Sequence, residues 1–103
     1  MKTFFDGIFI DTKKLRAEGI QYPIKLEYYK TITIEENVEA RYGIEIIKTE
    51  YRDDEVKINS NKVENITNNV EEANKILTVL RNNEVTPIGM EDVLDDMFTS
   101  IYE

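Results

Sequence analysis

The chain has 103 residues with 21 acidic and 13 basic side chains, a net charge of −8, and neither cysteine nor histidine. This length suits one domain with a modest core, so we expect residues 1–103 to form a single domain. The missing residue types exclude disulfides, thiolate zinc sites, thiol nucleophiles and the most common general base, which favours a protein that is not an enzyme and holds no metal or cofactor.

Residues 24–34 alternate apolar and polar side chains, which is typical of a strand with one buried face. Lys30 falls in the apolar phase of this pattern. We therefore expect a bend or bulge near Tyr29 and Lys30, with the lysine stem reaching the rim of a sheet.

The alternation resumes over residues 38–51, with a slip in phase at residues 46–47. Polar turns are predicted at residues 52–55 and again at residues 59–61, where Asn, Ser and Asn follow one another. Residues 24–66 are therefore predicted to form an antiparallel meander.

Helical spacing replaces the strand pattern over residues 70–82, with Asn68 and Glu71 as a capping pair. Thr86 and Pro87 suit the N-cap and first position of a second amphipathic helix. The apolar stripe of that helix consists of Met90, Val93, Leu94, Met97, Phe98 and Ile101.

Strands that precede helices, with short connections, predict an α+β fold in which two C-terminal helices within residues 68–103 pack on one face of the sheet. Residues 1–23 are apolar enough at the front for an edge strand, although a docked arm fits the same pattern. The meander therefore has three or four strands.

The acidity is concentrated late in the chain. Residues 1–34 carry six basic and four acidic side chains, whereas residues 35–103 carry seven and seventeen. The outer face of the second helix is wholly acidic, and its spacing lacks the glycine-containing loop of a calcium site, so no metal is expected there. We expect this face to bind a protein partner with a basic surface. It consists of Glu91, Asp92, Asp95 and Asp96.

Two tyrosines are candidates for a recognition surface. Tyr28 and Tyr42 fall in the buried phase and are predicted to pack in the core, which leaves Tyr29 and Tyr51 as possible recognition aromatics. The short basic run at residues 13–16 is interpreted as a solvated turn. The negative net charge disfavours direct binding to nucleic acid or to an anionic membrane.

Three segments carry a family resemblance: 42–46 (YGIEI), 63–67 (VENIT) and 83–94 (NEVTPIGMEDVL). Over roughly residues 28–98 the chain resembles a family of short clostridial proteins classified as a domain of unknown function, in which a YGIE strand precedes a Leu-rich helix and a (S/T)PIxLxDV segment. The resemblance implies a fold and a bacterial, Gram-positive or phage setting, and it implies no activity and no functional residues.

These observations lead to two hypotheses of function. The first is a small, non-enzymatic, cytoplasmic protein that binds and regulates a protein partner through the acidic helix face. The alternative is an inhibitor encoded by a mobile element, a nucleic-acid mimic of the anti-CRISPR or anti-defence kind, that occupies the nucleic-acid channel of a host protein. An uncovered sheet face or edge also leaves a homodimer open.

Overall fold

The computed structural model describes residues 1–11, 13 and 19–102 of the chain. Four antiparallel strands form a sheet in the order β1-β2-β3-β4, and two helices follow them, which confirms the predicted α+β meander. The front of the chain forms an edge strand rather than a docked arm. The elements are β1 (Lys2–Ile10), β2 (Ile24–Thr33), β3 (Arg41–Tyr51), β4 (Val56–Thr67), α1 (Val70–Asn82) and α2 (Met90–Tyr102).

Both helices bury their apolar stripes against the same face of the sheet. The central strands β2 and β3 contribute every second side chain to this core, as the period of a strand requires. Burying one such aliphatic side chain contributes about 1.5–3 kcal/mol. The principal core residues are Ile24, Leu26 and Tyr28 of β2, Ile44 and Ile46 of β3, Ile76, Leu77 and Leu80 of α1, and Met90 and Leu94 of α2.

Tyr28 joins the sheet to the connection between the helices. Its ring is fully buried, as predicted, and its hydroxyl donates a 2.9 Å hydrogen bond to the backbone carbonyl of Val85. Burial, assisted by the carboxylate of Glu84, raises the pKa of the Tyr28 hydroxyl far above its ordinary value. Tyr28 therefore remains a neutral donor and fixes the position of the turn that leads into α2.

A bulge in β4 presses its backbone against β3. Val63 pairs with Ile44 and Thr67 with Tyr42, so β4 has two more residues than β3 between the same two pairs. Asn65 within the bulge takes a left-handed conformation, with φ of 57°. A Cβ atom at Gly43 would lie within 2.7 Å of three atoms that line this contact, namely the Val63 carbonyl oxygen, Thr31 Oγ1 and Glu64 Cα.

The bulge expected near Tyr29 and Lys30 is not in β2. The pairing of β2 with β3 is regular through this region, and the irregularity lies in β1, between Phe4 and Asp6, opposite Tyr29 and Tyr28. Lys30 occupies the apolar phase because its ammonium group donates a 3.1 Å hydrogen bond to the side chain of Asn74 on α1. The prediction of a bulge in β2 is therefore wrong.

The turn predicted at residues 59–61 is also wrong, because these residues lie in the middle of β4. Asn61 tolerates this position since its amide donates to the backbone carbonyl of Pro87, at 3.2 Å. The expected slip at residues 46–47 is absent: β3 pairs continuously with β2, and Ile46 and Ile47 point to opposite faces.

The helix bounds agree with the prediction more closely than the caps do. Helix α1 spans the predicted residues, but Asn69 is its N-cap and accepts from the backbone N–H of Glu72 at 3.1 Å. Asn68 instead donates to Glu39, at 2.8 Å. Helix α2 begins at Met90, so Thr86 and Pro87 are not its N-cap and first position; residues 87–89 form a turn before it.

We expect Gly43→Ala to destabilise the protein by about 1–3 kcal/mol, because the added methyl group meets backbone atoms of β4 that cannot move away independently. Gly89→Ala is the matched control, since the nearest atom to its added Cβ is Thr86 Oγ1 at 3.8 Å. Urea denaturation of the two variants tests this. Equal stabilities would contradict the close approach of β4.

We expect Tyr28→Phe to cost about 1–2 kcal/mol, because it leaves the buried Val85 carbonyl without its donor. Tyr29→Phe removes a bond to Glu27 in a partly exposed position and should cost less. Thermal unfolding followed by circular dichroism compares the two. A larger loss in Tyr29→Phe would show that the Tyr28 hydroxyl does not hold the connection.

Candidate functional site

The acidic helix face consists of Glu91, Asp92, Asp95 and Asp96, and all four side chains are exposed on the side of α2 that points away from the core. No described basic side chain forms an ion pair with any of them. Glu91 has one weak polar contact, a 3.4 Å hydrogen bond from the Asn61 amide. The helix also has no basic residue in its last turn. These carboxylates therefore present charge that the fold does not neutralise.

The arrangement does not resemble a cation site. Within residues 1–11, 13 and 19–102, no group of three or more acidic side chains is placed to hold a metal ion. Carboxylates one helical turn apart on a convex surface point into solvent instead of converging on one point. The acidic helix face is therefore a charged surface and not a coordination site.

The second candidate surface is the side of the sheet that points away from the helices, which we call the open face. Directly opposed residues of neighbouring strands share a face, so the strand register arranges its side chains in rows across the sheet. Three rows follow one another: Phe9, Lys25, Thr49 and Ile58; then Gly7, Glu27, Ile47 and Ser60; then Phe4, Tyr29, Glu45 and Lys62.

The structure places both Tyr29 and Tyr51 on this open face, with Tyr51 at one end and Tyr29 three rows away from it. Tyr29 packs edge-on against Phe4, with ring centroids 5.6 Å apart, and the Lys2 ammonium lies 4.5 Å from the Tyr29 ring centroid. Tyr51 lies 6.3 Å from Phe9, ring centroid to centroid. Each predicted recognition aromatic therefore has a phenylalanine partner.

Phe4 and Phe9 escaped the sequence prediction for a physical reason. They are five positions apart, and strict alternation would place them on opposite faces. The bulge at Phe5 turns Phe5 and Asp6 both toward the helices, where Phe5 packs on the core and Asp6 accepts a 2.8 Å bond from Arg81. A bulge cannot be located from alternation alone.

The carboxylates of the open face are paired with lysines, in contrast to those of the acidic helix face. Three lysines each pair with a glutamate, and the proximity of Glu27 and Tyr51 raises the pKa of Lys25. The bond from the Tyr29 hydroxyl to Glu27 likewise raises the pKa of Tyr29. The pairs are Lys2–Glu45 at 3.0 Å, Lys25–Glu27 at 3.6 Å and Lys62–Glu64 at 3.2 Å.

Glu50 is a buried carboxylate, only 5% exposed, and the sequence pattern does not single it out. Burial alone would raise its pKa, but hydrogen bonds from Arg52 and Lys48 outweigh burial and hold the pKa below the usual range. The ion-pair distances are 2.9 Å and 3.2 Å, and the Arg52 guanidinium also stacks over the Tyr22 ring at 4.9 Å. Glu50 is thus an ion-paired carboxylate and a weaker base than a free glutamate.

Lys13 is exposed, while Lys14 and Arg16 of the basic run lie outside the described residues. Tyr42 is half-buried on the helix side of the sheet, with the Lys30 ammonium 5.9 Å from its ring centroid, so it lines the core margin. In the part of the chain that is described, neither helix is long and apolar enough to cross a membrane.

The comparison with protein families decides the chain's membership. A family model matches residues 8–100, which extend from β1 to α2. The chain belongs to DUF6514, a family of unknown function. The match to DUF6514 includes all four acidic residues of α2 as well as Tyr29 and Tyr51. No curated protein and no solved structure matches the chain.

We expect Glu50→Gln to lower stability near pH 7 by about 1–2 kcal/mol, because Lys48 and Arg52 lose a charged acceptor. The pKa of Glu50 is lower in the folded than in the unfolded protein, so its contribution is complete above the unfolded value and is lost as the pH falls through the folded one. The deficit of the variant should therefore shrink as the pH is lowered below the ordinary pKa of a glutamate.

Urea unfolding across that pH range measures the difference between wild type and Glu50→Gln. Glu55→Gln, at an exposed turn position, is the control and should follow the wild type at every pH. A deficit of Glu50→Gln that stays constant with pH would mean that its carboxylate charge contributes nothing.

Proposed function

We propose that this protein is a cytoplasmic, non-enzymatic binding protein that regulates a partner by docking the acidic helix face onto a basic surface of that partner. The supporting observation is the contrast between two surfaces of one small chain. Lysines neutralise the glutamates of the open face, whereas the four carboxylates of α2 are exposed without a described cation beside them. Charge that a fold leaves uncompensated is available to a partner.

The acidic helix face is also held rigidly. Met90 and Leu94 on the opposite side of α2 are buried in the core, so the helix cannot rotate without losing that packing. Glu91 and Asp95 are one helical turn apart, as are Asp92 and Asp96, which spaces their carboxylates by roughly 5–6 Å along the axis. A fixed array of this kind suits several lysine or arginine side chains of a partner at once.

Exposed ion pairs contribute only about 0–1 kcal/mol each, so charge alone gives fast encounter rather than tight binding. An apolar contact beside the acids would add affinity. Ile88, in the turn before α2, is 87% exposed and lies within a few residues of Glu91 and Asp92. We include Ile88 in the proposed interface as its apolar anchor.

The test compares three proteins as bait for affinity purification from the native host, followed by mass spectrometry. The first is the wild type, and the second has E91Q, D92N, D95N and D96N. The third is a matched control with E35Q, E36Q, D53N and D54N, four exposed turn residues whose neutralisation changes the net charge equally.

We expect wild type and control to capture the same partner and the α2 variant to lose it, with capture weakening as salt is raised. Glu91 and Asp92 also stabilise the first turn of α2 through the helix dipole, so a D95N/D96N variant separates binding from helix stability. Retention of the partner by the α2 variant would refute the proposal. A captured nucleic-acid-binding protein that added DNA displaces would identify the inhibitor alternative.

A further inference from the structure

The open face carries several large apolar side chains that are exposed to solvent. Phe4, Phe9, Val56 and Ile58 are 55%, 63%, 59% and 65% exposed. Among the residues that the structure describes, no helix covers this side of the sheet, since both helices pack on the other one. Contiguous exposed apolar surface of this kind marks an interaction site. We call Phe9, Tyr51, Val56 and Ile58, which lie together at one end of the open face, the apolar patch.

The charge of the open face determines which kind of molecule can bind to it. The open face carries Lys2, Lys25, Lys62 and Arg41 against three glutamates, so its net charge is close to zero in a chain of net charge −8. A neutral face gives no electrostatic attraction to phosphates, so aromatic stacking with nucleic acid lacks its usual driving force. Two copies of this acidic chain can approach each other without strong repulsion only through such a face.

The acidic residues of α2 lie on the helix side of the sheet, so in that approach they point away from the contact. The lysine–glutamate pairs remain intact when covered, so association leaves none of these six charges without a partner. An isologous contact also allows each lysine of one copy to meet a glutamate of the other.

The dimensions of the open face suffice for a stable contact. Four strands about 4.8 Å apart, with strands of about nine residues at about 3.3 Å each, cover on the order of 600 Å². Two copies would bury roughly 1,200 Å², the lower limit for specific protein interfaces. Sheets that pack face to face in this way are about 10 Å apart.

The edges of the sheet are less suited to a second copy than the face. Strand β1 has a bulge at Phe5, and strand β4 has one around Asn65. Bulges bend an edge strand and interrupt the row of backbone groups that another strand would pair with. Edge-to-edge extension of the sheet is therefore hindered on both sides.

We propose that two copies of this protein form an isologous homodimer, sheet against sheet, through the open face with the apolar patch in the contact. This interface is separate from the acidic helix face, which stays accessible on the outside of each copy. Dimerisation therefore doubles the number of acidic faces that a partner meets.

The first test measures mass by sedimentation equilibrium over a range of concentrations. We expect the wild type to have twice the mass of the chain and F9K/I58K to have the mass of one chain, because the substitution places four lysines in the apolar contact. The matched control is I34K/I88K, two exposed isoleucines outside the open face with the same charge change, which should remain dimeric. The variant E91Q/D92N/D95N/D96N should also remain dimeric, so failure of the proposed function leaves this result unaffected.

The second test does not depend on substitution of the apolar patch. Because the chain has no cysteine, a single thiol at Ser60→Cys, in the middle row of the open face, reports on that face alone. Its reaction with a thiol reagent should slow in proportion to the dimer fraction as concentration rises, while Glu71→Cys on α1 should react at a constant rate. A monomeric wild type at every concentration, a dimeric F9K/I58K, or unchanged reactivity at position 60 would each overturn the proposal.

Discussion

Burial of Tyr28 between the central strands and the helices is the contact on which the rest of the structure depends. Its ring occupies the middle of the core, and its hydroxyl fixes the turn at Val85, which sets the direction in which α2 leaves the connection. Because both helices are committed to this side, the other side of the sheet has no partner within the described chain. The packing of both helices on the Tyr28 side of the sheet therefore determines where the acidic helix face and the open face lie.

Paired and unpaired charges lie on different surfaces of the protein. A lysine or arginine lies within ion-pair distance of each of four glutamates: Glu27, Glu45 and Glu64 on the open face, and Glu50 on the other side of the sheet. On α2 the carboxylates have none among the described residues. Paired charges cost less to cover than unpaired ones, and unpaired charges attract at a distance. The two surfaces therefore suit different kinds of contact, one close and self-complementary and the other steered by a basic partner.

The sequence predicts what depends on periodicity and fails where single residues override it. The strands β2 and β3, the bounds of α1 and the exposed acids of α2 follow from spacing, because one face of each element must be buried. Asn59, Ser60 and Asn61 look like a turn but lie in an edge strand, where side-chain bonds such as Asn61 to Pro87 replace packing. The alternation of apolar and polar residues in β2 predicts that Tyr29 lies on the open face. Alternation does not predict that Phe4 and Phe9 share this face, because they do so only through the bulge at Phe5.

The meander topology also determines the order in which the parts of the chain can fold. Each strand pairs only with its neighbour in the chain, so the sheet can form hairpin by hairpin from its first residues onward. The contacts that close the structure are remote: Tyr28 with Val85, 57 positions apart, and Asp6 with Arg81, 75 positions apart. During synthesis from the N-terminus, the apolar side of the finished sheet therefore stays uncovered until both helices have been made. In this interval the nascent chain is most accessible to chaperones and most prone to misassociation.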